Sequence, residues 1–289
     1  MTDWATFAGV AGVVTLAVLV LATFSRDAAP TNGSTDPAGS TRPSREFARP
    51  SKRREEPSSV TVPAGVDADA EAVAPERGSG GATAEPAAAG QLTADAREEP
   101  TAATLLASVT LTQLIFGAVL LAGVVVADVS PAALGVGVPP VEALTVGVAV
   151  GVALAGANEV GGRLGTRVGL ADGDELRAAL APATPKGWAF LLGVALPTVA
   201  LFEELLFRGA LVGGLATGFG LSPWLLVVAS SVAFGLAHGA QGPVGVAVTG
   251  VLGAALAATF VVTDSLAAVV VAHYLVNAVE FVAHEGVQG

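Results

Sequence analysis

The sequence predicts an all-α, polytopic transmembrane helix bundle of about seven spans, with a disordered hydrophilic segment after the first helix. Three observations predict it. Mean hydropathy is +0.66. Hydrophobic residues make up 52% of the chain and charged ones only 13%, too few to cover a soluble domain of this length. Most of that charge falls between Ser25 and Pro100, and long apolar stretches lie on either side of it.

Trp4 to Phe24 is an uninterrupted apolar run, long enough to cross a bilayer as a helix. A cleaved signal peptide is the rival reading. Asp3 stands where a signal would carry positive charge, and the run is longer than an ordinary signal core, so residues 1–24 read as a membrane anchor. Residues 25–100 are rich in Pro, Gly, Ser, Thr, Ala and acidic side chains. Such a segment buries too little apolar surface to offset chain entropy and reads as a disordered linker. Its basic cluster, Arg42, Arg45, Arg49, Lys52, Arg53 and Arg54, favours the cytoplasmic side and hence an external N-terminus.

Residues 101–289 read as the helix bundle. Thr101–Ala127 and Val141–Ala157 are spans, separated by a loop holding Pro131, Pro139 and Pro140. Asn158–Gly187 is polar and contains an amphipathic piece, Asp172–Leu180, with Asp174 as its candidate cap. Trp188 to about Ala216, Leu221–His238, Val244–Val262 and Leu266–Ala283 complete the set. Gly147 and Gly151 have the small-xxx-small spacing of closely packed membrane helices. Pro197 is a candidate break within its segment.

Composition also excludes. With no cysteine there is no disulfide, no thiolate zinc site and no cysteine nucleophile. The net charge of −11 is spread rather than gathered into one tail, and lysine occurs only at Lys52 and Lys186, as in salt-adapted proteins. No basic stripe with interleaved aromatics is present, which argues against a nucleic-acid partner.

Ionisable side chains inside a span cost ~2.5–3.5 kcal/mol each on insertion scales, so each needs a reason. Phe202-Glu203-Glu204-Leu205-Leu206-Phe207-Arg208 is the first such place. On a helix Glu204 and Arg208 share a face and can pair, whereas Glu203 is rotated about 100° away and stays uncommitted. His238, four residues after Phe234, ends another apolar segment. His273 and Asn277 lie four apart on one face of the last helix. His284, beside Glu285, reads as a solvated terminal residue. This inventory suits water activation. A desolvated Glu is a stronger base, one His can orient the water, and a second His with an Asn can donate to an oxyanion. Taken singly, each feature is better explained as helix–helix glue than as catalysis.

The order and spacing of these motifs resemble the CPBP family of intramembrane proteases, the CAAX prenyl protease 2-like or ABI proteins. Its pattern is Glu-Glu-x-x-x-Arg, then Phe-x-x-x-His, then His-x-x-x-Asn. It is met by Glu203, Glu204 and Arg208, by Phe234 and His238, and by His273 and Asn277. The resemblance covers roughly residues 187–283 and implies an α-helical endopeptidase in the cell membrane. By that resemblance Glu203 and His238 activate water, His273 and Asn277 form the oxyanion site, and Glu204 and Arg208 orient the first carboxylate. The implied partners are the bilayer and a membrane-associated protein or peptide, including prenylated CAAX-type substrates.

The family has been described both as metalloproteases and as glutamic proteases. Glu203, His238 and His273 are the donor types of a zinc site. The chain lacks a His-Glu-x-x-His motif, which favours the reading without a cofactor. Two other functions compete with proteolysis: a non-catalytic scaffold or immunity-type protein that uses the polar cluster for packing, and a proton-coupled transporter. The side on which the site opens is left undecided by the charge pattern, because Arg163, Arg167, Arg177 and Lys186 put the entry to the Glu203 helix on the cytoplasmic side, far from Glu203.

Overall fold

Inside a bilayer a backbone must satisfy its own N–H and C=O groups, and a helix does so within one segment. In the computed structural model, which describes residues 1–28, 101–167 and 174–286, every regular element among the described residues is helical. The expected disordered linker, with its Arg42–Arg54 cluster, lies outside the described residues.

α1 (Trp4–Ala28) begins at Asp3, whose carboxylate accepts from the Thr6 amide at 3.0 Å and the Thr6 hydroxyl at 2.6 Å. Those two donors, hydroxyl first, hold the Asp3 carboxyl below its ordinary value. The residue that argued against a signal peptide is thus a helix cap. α2 (Ala102–Val126) is capped by Thr101. A short 3₁₀ turn (Pro131–Leu134) leads to α3 (Val141–Arg167), and α4 (Asp174–Leu180) has Asp174 as its first helical residue.

The next span is a single rod of 35 residues, Pro185–Phe219. It comprises α5 (Pro185–Phe190), a π segment (Leu191–Ala195), α6 (Leu196–Glu204), a second π segment (Leu205–Gly214) and α7 (Leu215–Phe219). Pro197 does not break it. Proline has no N–H and crowds the carbonyl four residues back. The turn before it widens instead, with the Leu196 N–H reaching the Leu191 carbonyl. Carbonyls in the two widened stretches find hydroxyls: Tyr274 donates to Leu192 O at 3.2 Å and Ser230 to Phe207 O at 2.6 Å.

α8 (Pro223–Ala237), a 3₁₀ turn (Gly239–Gln241), α9 (Gly242–Thr263) and α10 (Leu266–Glu285) follow. Among the described residues, six helices are long and apolar enough to span a membrane, which makes this a multi-pass membrane protein. The segment expected over Leu221–His238 is shorter than a span. α8 has 15 residues, about 22 Å at 1.5 Å per residue against a ~30 Å hydrocarbon core.

The bundle has two distinct ends. At one, Asp3 N donates to Ala127 O at 2.8 Å, Leu266 N donates to Gly135 O at 2.9 Å, and Trp4 packs on Gly218. At the other, Arg177 bonds Glu285 at 3.0 Å and Glu280 at 3.4 Å, and Asn158 reaches Glu280 at 3.0 Å. His284, expected in solvent, joins this second cluster through Glu159 at 2.8 Å.

α1 is built into the bundle: Phe7 and Ala11 are fully buried, Phe7 lies against Gly214, and Val10 fits over Gly123. Gly147 and Gly151 seat α3 on α10 against Ala268 and Ala272, as their spacing suggested. A Cβ on Gly151 would stand 2.9 Å from Ala272 Cα, whereas Gly156 on the same helix faces open space. Gly151→Leu is therefore expected to destabilise the detergent-solubilised protein by about 1–3 kcal/mol through overpacking. Gly156→Leu should leave the unfolding midpoint in place, and equal behaviour of the two would contradict this packing.

Candidate active site

Glu203 and Glu204 end α6, and the ~100° between consecutive helical residues sends them into different surroundings. Glu204 is completely buried. Its Oε1 accepts from Arg208 Nη1 at 2.8 Å and from His273 Nδ1 at 2.7 Å. Arg208 is 1% exposed and gives its other terminal nitrogen to the Gly253 carbonyl at 2.9 Å. Gly253 must be small there, since a Cβ would lie 2.9 Å from Phe234 Cδ1 and 3.4 Å from Arg208 Nη2. The Phe234 ring faces the guanidinium at 4.3 Å and also meets His238 and His273, with centroids 4.7 and 5.9 Å away. The motif phenylalanine is thus a wall shared by the ion pair and both imidazoles.

Glu203 is nearly as buried but is held differently. Gln113 Nε2, from α2, donates to its Oε1 at 3.4 Å. Its Oε2 makes no hydrogen bond. That oxygen lies 3.9 Å from His238 Nε2 and 3.8 Å from His273 Nε2. Carbonyl and carboxylate oxygens only accept, so the 2.8 Å contact of His238 Nδ1 with Phe234 O assigns a proton to Nδ1. The same argument places a proton on His273 Nδ1, facing Glu204. Each ring therefore holds its second nitrogen, Nε2, toward the same carboxylate oxygen.

The sequence-predicted residues lie on the helices that meet here, except His238, which follows the last residue of α8. Glu203, His238 and His273 converge. Glu204 and Arg208 connect to Glu203 by contact through His273, not directly. Asn277 sits one turn beyond His273 on α10, half-buried, with no hydrogen bond among the described residues. Sequence reasoning missed Gln113. Its signal was available: Gln113 is the one amide in an otherwise apolar or hydroxyl-bearing span. The donor types for zinc are present in Glu203, His238 and His273. As placed, no three described His, Asp or Glu side chains form a group that could hold a metal ion.

Residues 185–279 match the family model described as Type II CAAX prenyl endopeptidase Rce1-like. The match spans every motif residue and places this segment in the CPBP, or CAAX protease, family, making it a peptidase domain at the general level. No curated protein and no solved structure matches the chain.

Removing one member of a buried ion pair leaves an uncompensated charge. Arg208→Met should accordingly destabilise the protein by about 3–5 kcal/mol in detergent unfolding. The double variant Glu204→Leu/Arg208→Met should recover part of that loss, since neither charge then remains. A double variant no more stable than the single one would contradict this account.

Proposed function

We propose that the protein is an intramembrane endopeptidase of the glutamic type, acting in the cell membrane on a membrane-associated protein or peptide, with prenylated CAAX-type chains as the first class to test. The observation that carries the reading is the buried, unpartnered Glu203 Oε2 facing two imidazole nitrogens. Glu204 Oε2 and Arg208 Nε are likewise buried without a partner, and what sets Glu203 Oε2 apart is the pair of imidazole Nε2 atoms beside it. Separations of 3.8 and 3.9 Å are too long for direct hydrogen bonds and suit a single water set off the line between them.

In the proposed reaction Glu203 takes a proton from that water, which His238 orients, as the water oxygen bonds to the scissile carbonyl carbon. The carbonyl electron pair moves onto its oxygen. Asn277 donates its amide to that oxyanion. His273 has already given Nδ1–H to Glu204, so it donates from Nε2 only as imidazolium, a form that the Glu204 carboxylate faces at 2.7 Å. Collapse breaks the C–N bond, and the leaving amine takes the proton from Glu203.

Orientation follows from the two ends. Arg163, Arg167, Arg177 and Lys186 all lie toward the Arg177 end, where α1 also finishes and α2 begins. The positive-inside bias makes that end cytoplasmic and the Asp3 end external. The chain has no cysteine, so single cysteines report cleanly. Val138→Cys, at a 98% exposed position near the Asp3 end, should react with an impermeant maleimide from outside, and Ala183→Cys, exposed just ahead of α5, only from the cytoplasm. The reverse pattern would overturn the orientation.

Glu203→Gln removes the proton acceptor while keeping shape. It should lower cleavage of a quenched prenylated peptide by at least ~10²–10⁴-fold with an unchanged unfolding midpoint. Cleavage by the native protein should persist under a chelator. Chelator-sensitive cleavage would move Glu203, His238 and His273 to the role of metal ligands. Full activity of Glu203→Gln would end the reading.

A further inference from the structure

We propose that Gln113 is a positioning residue for the Glu203 carboxylate, so that the site is completed by α2, from outside the matched peptidase segment. This rests on the reading of Glu203 as the base. A carboxylate turns about its last bond with a broad, roughly two-fold preference, so its two oxygens exchange unless something distinguishes them. Here something does. The amide of Gln113 occupies Oε1, and Oε2 is left to face both imidazoles.

The other polar side chains of α2 do not reach across. Ser108, Thr110 and Thr112 return their hydroxyls to carbonyls of their own helix. Gln113 alone among them extends to a different span. Its helix is packed against α6 just beyond the contact: the rings of Phe116 and Phe202 lie 6.2 Å apart, and Phe202 also lies beside Gly117. α2 is in turn held by α1, whose Val10 sits over Gly123. A line of packing therefore runs from the N-terminal helix through α2 to the residue preceding Glu203. At 3.4 Å the hydrogen bond is long, so its removal should misplace the base rather than abolish it.

The test compares Gln113→Met, similar in shape but without a donor, with Thr112→Val on the neighbouring face. Gln113→Met should lower kcat about 10–100-fold, the range for partners that orient a reacting group, with KM within about twofold and an unchanged unfolding midpoint. Thr112→Val should match the native protein. In a Glu203→Asp background, whose shorter carboxylate is out of reach of the amide, Gln113→Met should cost little more. A readout free of substrate is the infrared carboxylate band that Glu203→Gln removes: it should shift in Gln113→Met. An unmoved band, or a KM rise at constant kcat, would overturn the role given to Gln113. A shifted band in a protein that cleaves no peptide would instead sink the peptidase reading while leaving the contact in place.

Discussion

The organisation of the core depends on one fully buried carboxylate. Glu204 sits in a membrane span with no exposure and accepts from Arg208 and His273 through a single oxygen. An anion there costs several kcal/mol unless it is paired and hydrogen-bonded. Its two donors come from the second π segment of the rod and from α10, and Arg208 goes on to the Gly253 carbonyl of α9. Three helices are thereby held in one register. The arrangement also sets the state of His273, because the ring that satisfies Glu204 through Nδ1 must present Nε2 to Glu203.

The division of labour between adjacent glutamates follows from helix geometry. Four residues separate Glu204 from Arg208, one residue turns Glu203 away, and a single helix thus delivers a neutralised carboxylate and an uncommitted one side by side. Retaining such a pair in an apolar medium requires tight surroundings. Phe234 closes one side of the ion pair, and Gly253 leaves room for it. The rod yields locally by widening at Leu191–Ala195 ahead of Pro197 and again directly after Glu204. The hydroxyls of Tyr274 and Ser230 each cover one carbonyl, Leu192 O in the first stretch and Phe207 O in the second.

Much of the site was legible because its logic is local. The i, i+4 pairing of Glu204 with Arg208 and the small-residue seam at Gly147 and Gly151 follow from helical periodicity alone, and both are present. What was not legible depends on partners distant in the chain. Gln113 meets Glu203 across 90 residues, Gly253 supplies a backbone oxygen that no side-chain pattern announces, and His284, though still 38% exposed, pairs with Glu159. The length of α8 was misjudged for another reason. Hydropathy continues through Gly235-Leu236-Ala237, while the helix stops there. His238 instead adopts φ −98° and ψ 27°, and a 3₁₀ turn follows.

That early stop has a consequence for how a polar site can work inside lipid. A full-length α8 would carry His238 within a continuous apolar wall. Ending at Ala237 places His238 at a helix terminus, where its side chain keeps 24% exposure while Glu203 keeps 11% and His273 keeps 7%. Exposure thus falls from His238 through Glu203 to His273. Of the three, the His238 imidazole lies outermost, the Glu203 carboxylate next, and the ring tied to the buried ion pair deepest. The short helix and the buried carboxylate therefore set the two ends of that gradient: one leaves His238 partly exposed, and the other holds His273 deepest.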